Sequence, residues 1–125
     1  MTKLTITPDC ANSPKKEFLK TFNQSFASGN ASYICSHVSD DIVWEIHGDK
    51  SIRGKQNFSK EIHAMKHNIA DELIIHTIIT HGKEASVNGE IKMGNSTYAF
   101  CDVYRFTSAG NTQIKEIQSY VIQTA

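Results

Sequence analysis

The second half of the chain is cut at intervals by His81-Gly82-Lys83, Gly94-Asn95 and Ala109-Gly110-Asn111. Gly and Asn supply the positive φ that tight hairpins need. The stretches between them, rich in β-branched and aromatic residues, are predicted strands at 72–80, 84–93, 98–106 and 113–123. A four-strand antiparallel meander must have one face covered. The first half of the chain supplies the cover. Ser13-Pro14 is a helix start, with a capping hydroxyl followed by a proline suited to the first turn. Phe18, Leu19, Phe22 and Phe26 then recur at helical period, and Gly29 ends the helix. A short helix at 31–37 would turn Tyr33 and Ile34 inward. Asp40-Asp41 opens a strand at 42–47, which turns at Gly48-Asp49-Lys50 into a brief return strand at 51–53. Gly54 precedes a third helix at 55–68, with Phe58, Ile62, Met65 and Ile69 as its buried stripe. Residues 1–12 read as a loosely held arm and 13–125 as one domain. The fold class is α+β, a sheet with helices on one face.

Composition removes several functions. Lys+Arg and Asp+Glu are 13 each, so the formal net charge is zero, and nucleic-acid binding, which needs an excess of cations on one face, is disfavoured. Balanced charge instead favours self-association. Cys10, Cys35 and Cys101 are widely spaced and form no CxxC pair, so neither a zinc knuckle nor a thioredoxin-like site is encoded. Residues 1–10 lack the apolar run of a signal peptide, and no stretch is long and apolar enough for a membrane span. Reduced thiols and a cytoplasmic location are expected. His63 and His67 have the helical spacing of metal ligands but no third ligand nearby, so no metal is expected. No Gly-rich phosphate loop and no Ser-His-Asp order is present.

The most informative strand is Tyr98-Ala99-Phe100-Cys101-Asp102-Val103-Tyr104-Arg105-Phe106. Side chains alternate between faces, so Tyr98, Phe100, Asp102, Tyr104 and Phe106 share one face. That aromatic face is the natural inner one, and a carboxylate lies in its middle. An unpaired charge there is costly. Asp102 must hold its proton, find a partner or open onto a wet pocket. A purely structural role, stiffening the core through a Ser, Tyr or backbone bond, is the competing reading. On the first long strand Ile42, Trp44 and Ile46 form the inward set, opposite Val43, Glu45 and His47.

The order of these segments resembles the nuclear transport factor 2-like superfamily, the cone-shaped fold shared by SnoaL-like polyketide cyclases, ketosteroid isomerases and limonene epoxide hydrolases. The carriers run from the Phe18, Phe22, Phe26 helix through Ser39-Asp40-Asp41-Ile42-Val43-Trp44 and Ile52-Arg53-Gly54-Lys55 to Asp102-Val103-Tyr104-Arg105-Phe106 and Ile117-Gln118-Ser119-Tyr120. The resemblance implies a curved antiparallel sheet of about six strands wrapped around three helices, with an internal pocket. It implies a homodimer paired through the outer sheet face, at Ala99, Cys101, Val103, Tyr120 and Ile122. Asp102 looks like the ketosteroid isomerase aspartate that stays neutral and donates a hydrogen bond to an enolate. The family's partner tyrosine falls at Phe22, which has no hydroxyl, and its base at Ile46, or at Glu45 if the register slips by one. A steroid isomerase is therefore disfavoured.

The expected function is a cofactor-free enzyme acting on a small hydrophobic carbonyl or epoxide compound. Asp102 would be its acid or hydrogen-bond donor, and His47 the proton acceptor, with His37 or Glu45 as substitutes. Phe22, Tyr33, His37, Trp44, Ile46, Phe100, Tyr104 and Ser119 would line the pocket. The alternatives are a non-catalytic hydrophobic carrier and a protein-interaction module.

Overall fold

The computed structural model describes residues 2–10 and 13–125. Helix α1 (Pro14–Ser28) begins where the Ser13 hydroxyl accepts the Lys16 N–H and stops at Gly29, whose φ is 80°. Asn30 then caps α2 (Ala31–Ser36) by accepting the Tyr33 N–H. The chain continues through β2 (Val38–Ile46), β3 (Lys50–Arg53) and α3 (Lys55–Met65) into β4 (Glu72–His81), β5 (Glu84–Met93), β6 (Ser96–Phe106) and β7 (Ile114–Gln123). Strand β1 (Lys3–Ile6) precedes them all.

Among the described residues one seven-stranded sheet runs β1-β4-β5-β6-β7-β2-β3. Strands β4 to β7 form the expected meander. Strand β2 joins its far side in parallel, with Trp44 beside Ile117 and Ile46 beside Ser119. The helices cover the concave face. Phe22, Phe58, Tyr104 and Phe106 are almost wholly buried between the two layers. Val103, Tyr120 and Ile122 stand exposed on the outer face, where the resemblance implies pairing of two copies.

Three expectations are corrected. The arm is a strand over Lys3–Ile6, because Leu4 and Ile6 alternate with Lys3 and Thr5 and lie parallel to Leu73 and Ile75. With it the sheet has seven strands, where about six were expected. Strand β2 begins at Val38, since Val38 pairs with Ile114 before a register shift. The third helix ends at Met65 and Ile69 is exposed rather than buried. Past the helix the Ala70 N–H donates to the Ala27 carbonyl at 2.8 Å, which takes this backbone out of helical pairing and puts Ala70 in the core.

The curvature has a local cause. The β4–β5 register shifts between Ile75 and Thr77, leaving His76 as an extra residue. A bulge bends its strand and increases twist. Ile75 and Ile78, three apart, are consequently both buried. Gly89 lies opposite Ile75, and a Cβ there would stand 1.9 Å from the Ile74 carbonyl oxygen. Gly89→Ala is therefore expected to cost about 1–3 kcal/mol or more of stability by overpacking. Gly110→Ala, with no neighbour within 4 Å, should change little. Urea unfolding of the two variants checks this, and a near-neutral Gly89→Ala would show that the close approach is not a constraint.

Candidate functional site

Strand alternation places Phe100, Asp102 and Tyr104 of β6 on the concave face, beside Ile117, Ser119 and Val121 of β7. Trp44 and Ile46 of β2 extend this wall, and Phe22, Asn23 and Phe26 of α1 close over it. The result is a cavity of about 340 Å³ with a largely apolar lining. Its aromatic frame is interlocked. Phe22 meets Tyr104 edge-on at 6.1 Å between ring centroids, and Phe26 meets Trp44 at 5.6 Å. The mouth carries Asp49 and Val121, both exposed.

Two hydrogen-bonded arms converge on Asp102. In the first, the Asn23 side-chain amide, held by the Leu19 carbonyl at 2.9 Å, donates to the Tyr104 hydroxyl at 3.1 Å. That hydroxyl donates to Asp102 Oδ2 at 3.3 Å. In the second, the Trp44 indole N–H donates to Ser119 Oγ at 2.9 Å, and Ser119 faces Asp102 from the paired position on β7, where its hydroxyl favours the ionised carboxylate. Each arm sets a hydroxyl beside the carboxylate, that of Tyr104 donating to it. Burial has the larger effect and pushes the Asp102 pKa up to about 6, while the hydrogen bonds from Ser119 and Tyr104 pull it down. Burial, then the neighbouring Asp102 charge, raises Tyr104 well above the usual phenol range. Asp102 is half-buried rather than sealed, because it faces the cavity it lines. A carboxylate that titrates near neutrality in an apolar cavity can take up and return a proton.

Of the residues expected in the pocket, Phe22, Trp44, Ile46, Phe100, Asp102, Tyr104 and Ser119 line this cavity. Glu45 does not: Trp44 and Ile46 point inward, so Glu45 falls on the other face. Three residues expected there lie elsewhere. His47 continues the outward set of β2. Its ring stacks on Tyr120 at 4.3 Å and 6°, and its Nε2 meets the Gln118 side-chain oxygen. It does not reach the cavity side of Asp102, so the assignment of His47 as proton acceptor is withdrawn. His37 and Tyr33 are also displaced. The His37 ring packs on Tyr33 at 4.3 Å and on Phe18 at 5.1 Å, and its Nδ1 meets the Tyr33 carbonyl at 2.8 Å. They sit at the Ile114 end of β7, half that strand's length from Ser119.

Sequence reasoning missed Asn23 and Asp49. Asn23 was detectable as a buried polar residue four positions after Leu19 on the apolar stripe of α1. Asp49 had no such signal, since a turn's orientation toward a cavity depends on the sheet's curvature.

The SnoaL-like domain model matches residues 19–117. The chain belongs to the SnoaL-like family. No curated protein sequence matches it significantly. Solved structures share its fold at low identity. An NTF2-like protein of unknown function from Cytophaga hutchinsonii is 23% identical, with a TM-score of 0.66 over 86% of this chain and 99% of that one. An LEH-like epoxide hydrolase of Mycobacterium tuberculosis is 18% identical, with a TM-score of 0.71 over 86% and 82%. A de novo designed protein with a curved β-sheet is 16% identical, with a TM-score of 0.73 over 90% and 88%. These likenesses establish the cone-shaped α+β fold of this SnoaL-like chain and nothing finer. No helix among the described residues is long and apolar enough to cross a membrane. No cluster of three or more His, Cys, Asp or Glu side chains suited to a metal occurs among them.

The raised pKa fixes the sign of one stability effect. Below about pH 4 folded and unfolded chains both hold the Asp102 proton. Between about 4 and 6 only the folded chain does, and above 6 the fold carries a desolvated carboxylate at a cost on the order of 3 kcal/mol. Parent stability should thus lose this contribution as pH rises through that window. Asp102→Asn should gain on the parent over the same range, its relative stability increasing from pH 4 to pH 7. Thermal melts of both proteins at matched pH check it. A difference that stays flat with pH would mean that Asp102 is solvated like a surface carboxylate.

Proposed function

We propose that this SnoaL-like protein binds a small, mostly apolar molecule bearing one carbonyl or epoxide oxygen, and that Asp102 acts on it as a general base. The observation that carries this reading is the convergence of the Tyr104 and Ser119 hydroxyls on a carboxylate facing an apolar cavity. The Tyr104 hydroxyl donates to the carboxylate and the Ser119 hydroxyl opposite favours its ionised form, so Asp102 is prepared as a proton acceptor, the reverse of the neutral donor expected from the resemblance. The base role needs no histidine. On a ketone, the carboxylate removes a proton from the carbon next to the carbonyl. The C–H electron pair moves into the new C=C bond and the carbonyl oxygen takes the charge. Return of the proton to the same or another carbon completes an exchange or an isomerisation. On an epoxide, the same carboxylate would take the proton of a water as the water oxygen bonds a ring carbon; that carbon's bond to the ring oxygen breaks, and the alkoxide formed takes the proton back from the Asp102 carboxyl to give the diol.

A second reading is binding without turnover, and one observation favours it. Both Asn23 amide hydrogens and the Tyr104 and Trp44 hydrogens already have partners within the protein. These groups leave no spare donor for an enolate oxygen.

The two readings separate in heavy water. With cyclohexanone as probe, the base reading expects protein-catalysed deuterium exchange next to the carbonyl. The exchange should fall by about 10²-fold or more in Asp102→Asn. Its rate should rise with pH through about 6, because the ionised carboxylate is the active form. Diol formation from styrene oxide tests the epoxide arm in the same samples. If the probes bind but neither reaction exceeds that of Asp102→Asn, the binding reading stands and the base reading is lost.

A further inference from the structure

A second cavity adjoins the first and has no part in the chemistry described so far. It has a volume of about 210 Å³ and is lined chiefly by Ala27, Ala31, Ile34, Ile62, Ala70 and Met93, where the end of α1, α2, α3 and the far end of β5 meet. Phe26, Met65 and Ile91 line both cavities, so these three side chains are the partition. Each is only half-buried, although all three pack against the core.

The two chambers differ in chemistry. The first gathers Asp102, Tyr104, Ser119, Asn23 and the Trp44 N–H on one side. The second has Lys66 and Asn68 only at its exposed rim, and its walls are otherwise apolar. The second alone is smaller than usual ligand pockets, which run from roughly 300 to 1,000 Å³. Joined to the first, it makes an elongated site, polar at one end and greasy at the other.

The partition suits a passage. Met65 is the last residue of α3, and an unbranched thioether with three rotatable bonds adapts readily to different neighbours. The alanines beyond it leave the room. Ala27 and Ala70 are fixed there by the Ala70 N–H to Ala27 carbonyl bond. Gly29 contributes too, since a Cβ on it would stand 2.2 Å from the Lys66 carbonyl oxygen.

We propose that the ligand of this protein is an elongated amphiphile. Its oxygen-bearing head lies at Asp102, and its unbranched or lightly branched hydrocarbon tail passes Phe26, Met65 and Ile91 into the second chamber. This rests on the reading of the Asp102 cavity as a ligand site and adds the substrate class.

A homologous series of 2-alkanones from four to twelve carbons, titrated against the intact protein by calorimetry, tests the proposal. Each added methylene that leaves water should tighten binding on the order of fourfold, up to a chain length at which the second chamber is full. Met93 lines only the second chamber and is half-buried. Met93→Trp should shorten that limiting length and leave 2-butanone binding unchanged, whereas Met93→Ala should lengthen it. The opposite shifts guard against one variant that folds poorly. The tail assignment is overturned if 2-butanone binds in an Asp102-dependent way but the limiting length is the same in the parent and both variants. If no 2-alkanone of any length binds differently to the parent and to Asp102→Asn, the reading of the cavity itself fails and the tail assignment fails with it.

Discussion

The sheet can wrap its helices only because β4 and β5 bend, and they bend where Gly89 passes against the Ile74 carbonyl opposite the His76 bulge. A flat sheet would pack its helices directly onto Phe100, Asp102 and Tyr104. Curvature holds α1 away from the middle of β6 while keeping it in contact at the Phe106 end, where Phe18 meets that ring at 6.0 Å. The space left between is the cavity. One backbone close approach thus precedes the site in the causal order, and the chemistry of Asp102 depends on it.

Within that space, the protein balances two opposed effects on one carboxylate. Desolvation favours the acid, and two hydroxyl donors favour the anion. Burial alone would hold the proton to higher pH than the two hydroxyls allow, and in open solvent the group would lose it well below neutrality. The two arms come from different layers. Asn23 is on a helix, and Tyr104, Ser119 and Trp44 are on three adjacent strands. The setting of Asp102 is therefore sensitive to the register of β6 on β7 and of β7 on β2. A one-residue slip would turn Ser119 or Trp44 to the outer face.

Much of this was legible in the chain. Ser13, Pro14 and Gly29 mark both ends of α1, because caps are local chemistry. The meander follows from its Gly and Asn turns, and Asp102 stands out because alternation alone places it among aromatics. What was not legible depends on pairings between distant segments. Strand β1 is four residues long and gains its meaning only from β4. The parallel docking of β2 on β7 has no turn to announce it. Alternation put His47 on the outer face of β2, yet only the Tyr120 stack shows that the strand end does not curl back to the pocket. His37 and Tyr33 were placed by the proximity of a short helix, and its position against Phe18 could not be read from six residues.

The same fold is adopted by a designed protein and by a hydrolase-like one, so architecture alone does not select a chemistry. For this SnoaL-like chain the proposed chemistry rests on the protonation of one residue. The most direct measurement is the carboxyl carbon titration of Asp102 by NMR in uniformly labelled protein, assigned by comparison with Asp102→Asn. A midpoint near 6 is the predicted result. A midpoint near 4, the range of a solvated aspartate, would mean that water fills the space around the carboxylate and would contradict the account of a desolvated, hydroxyl-held base.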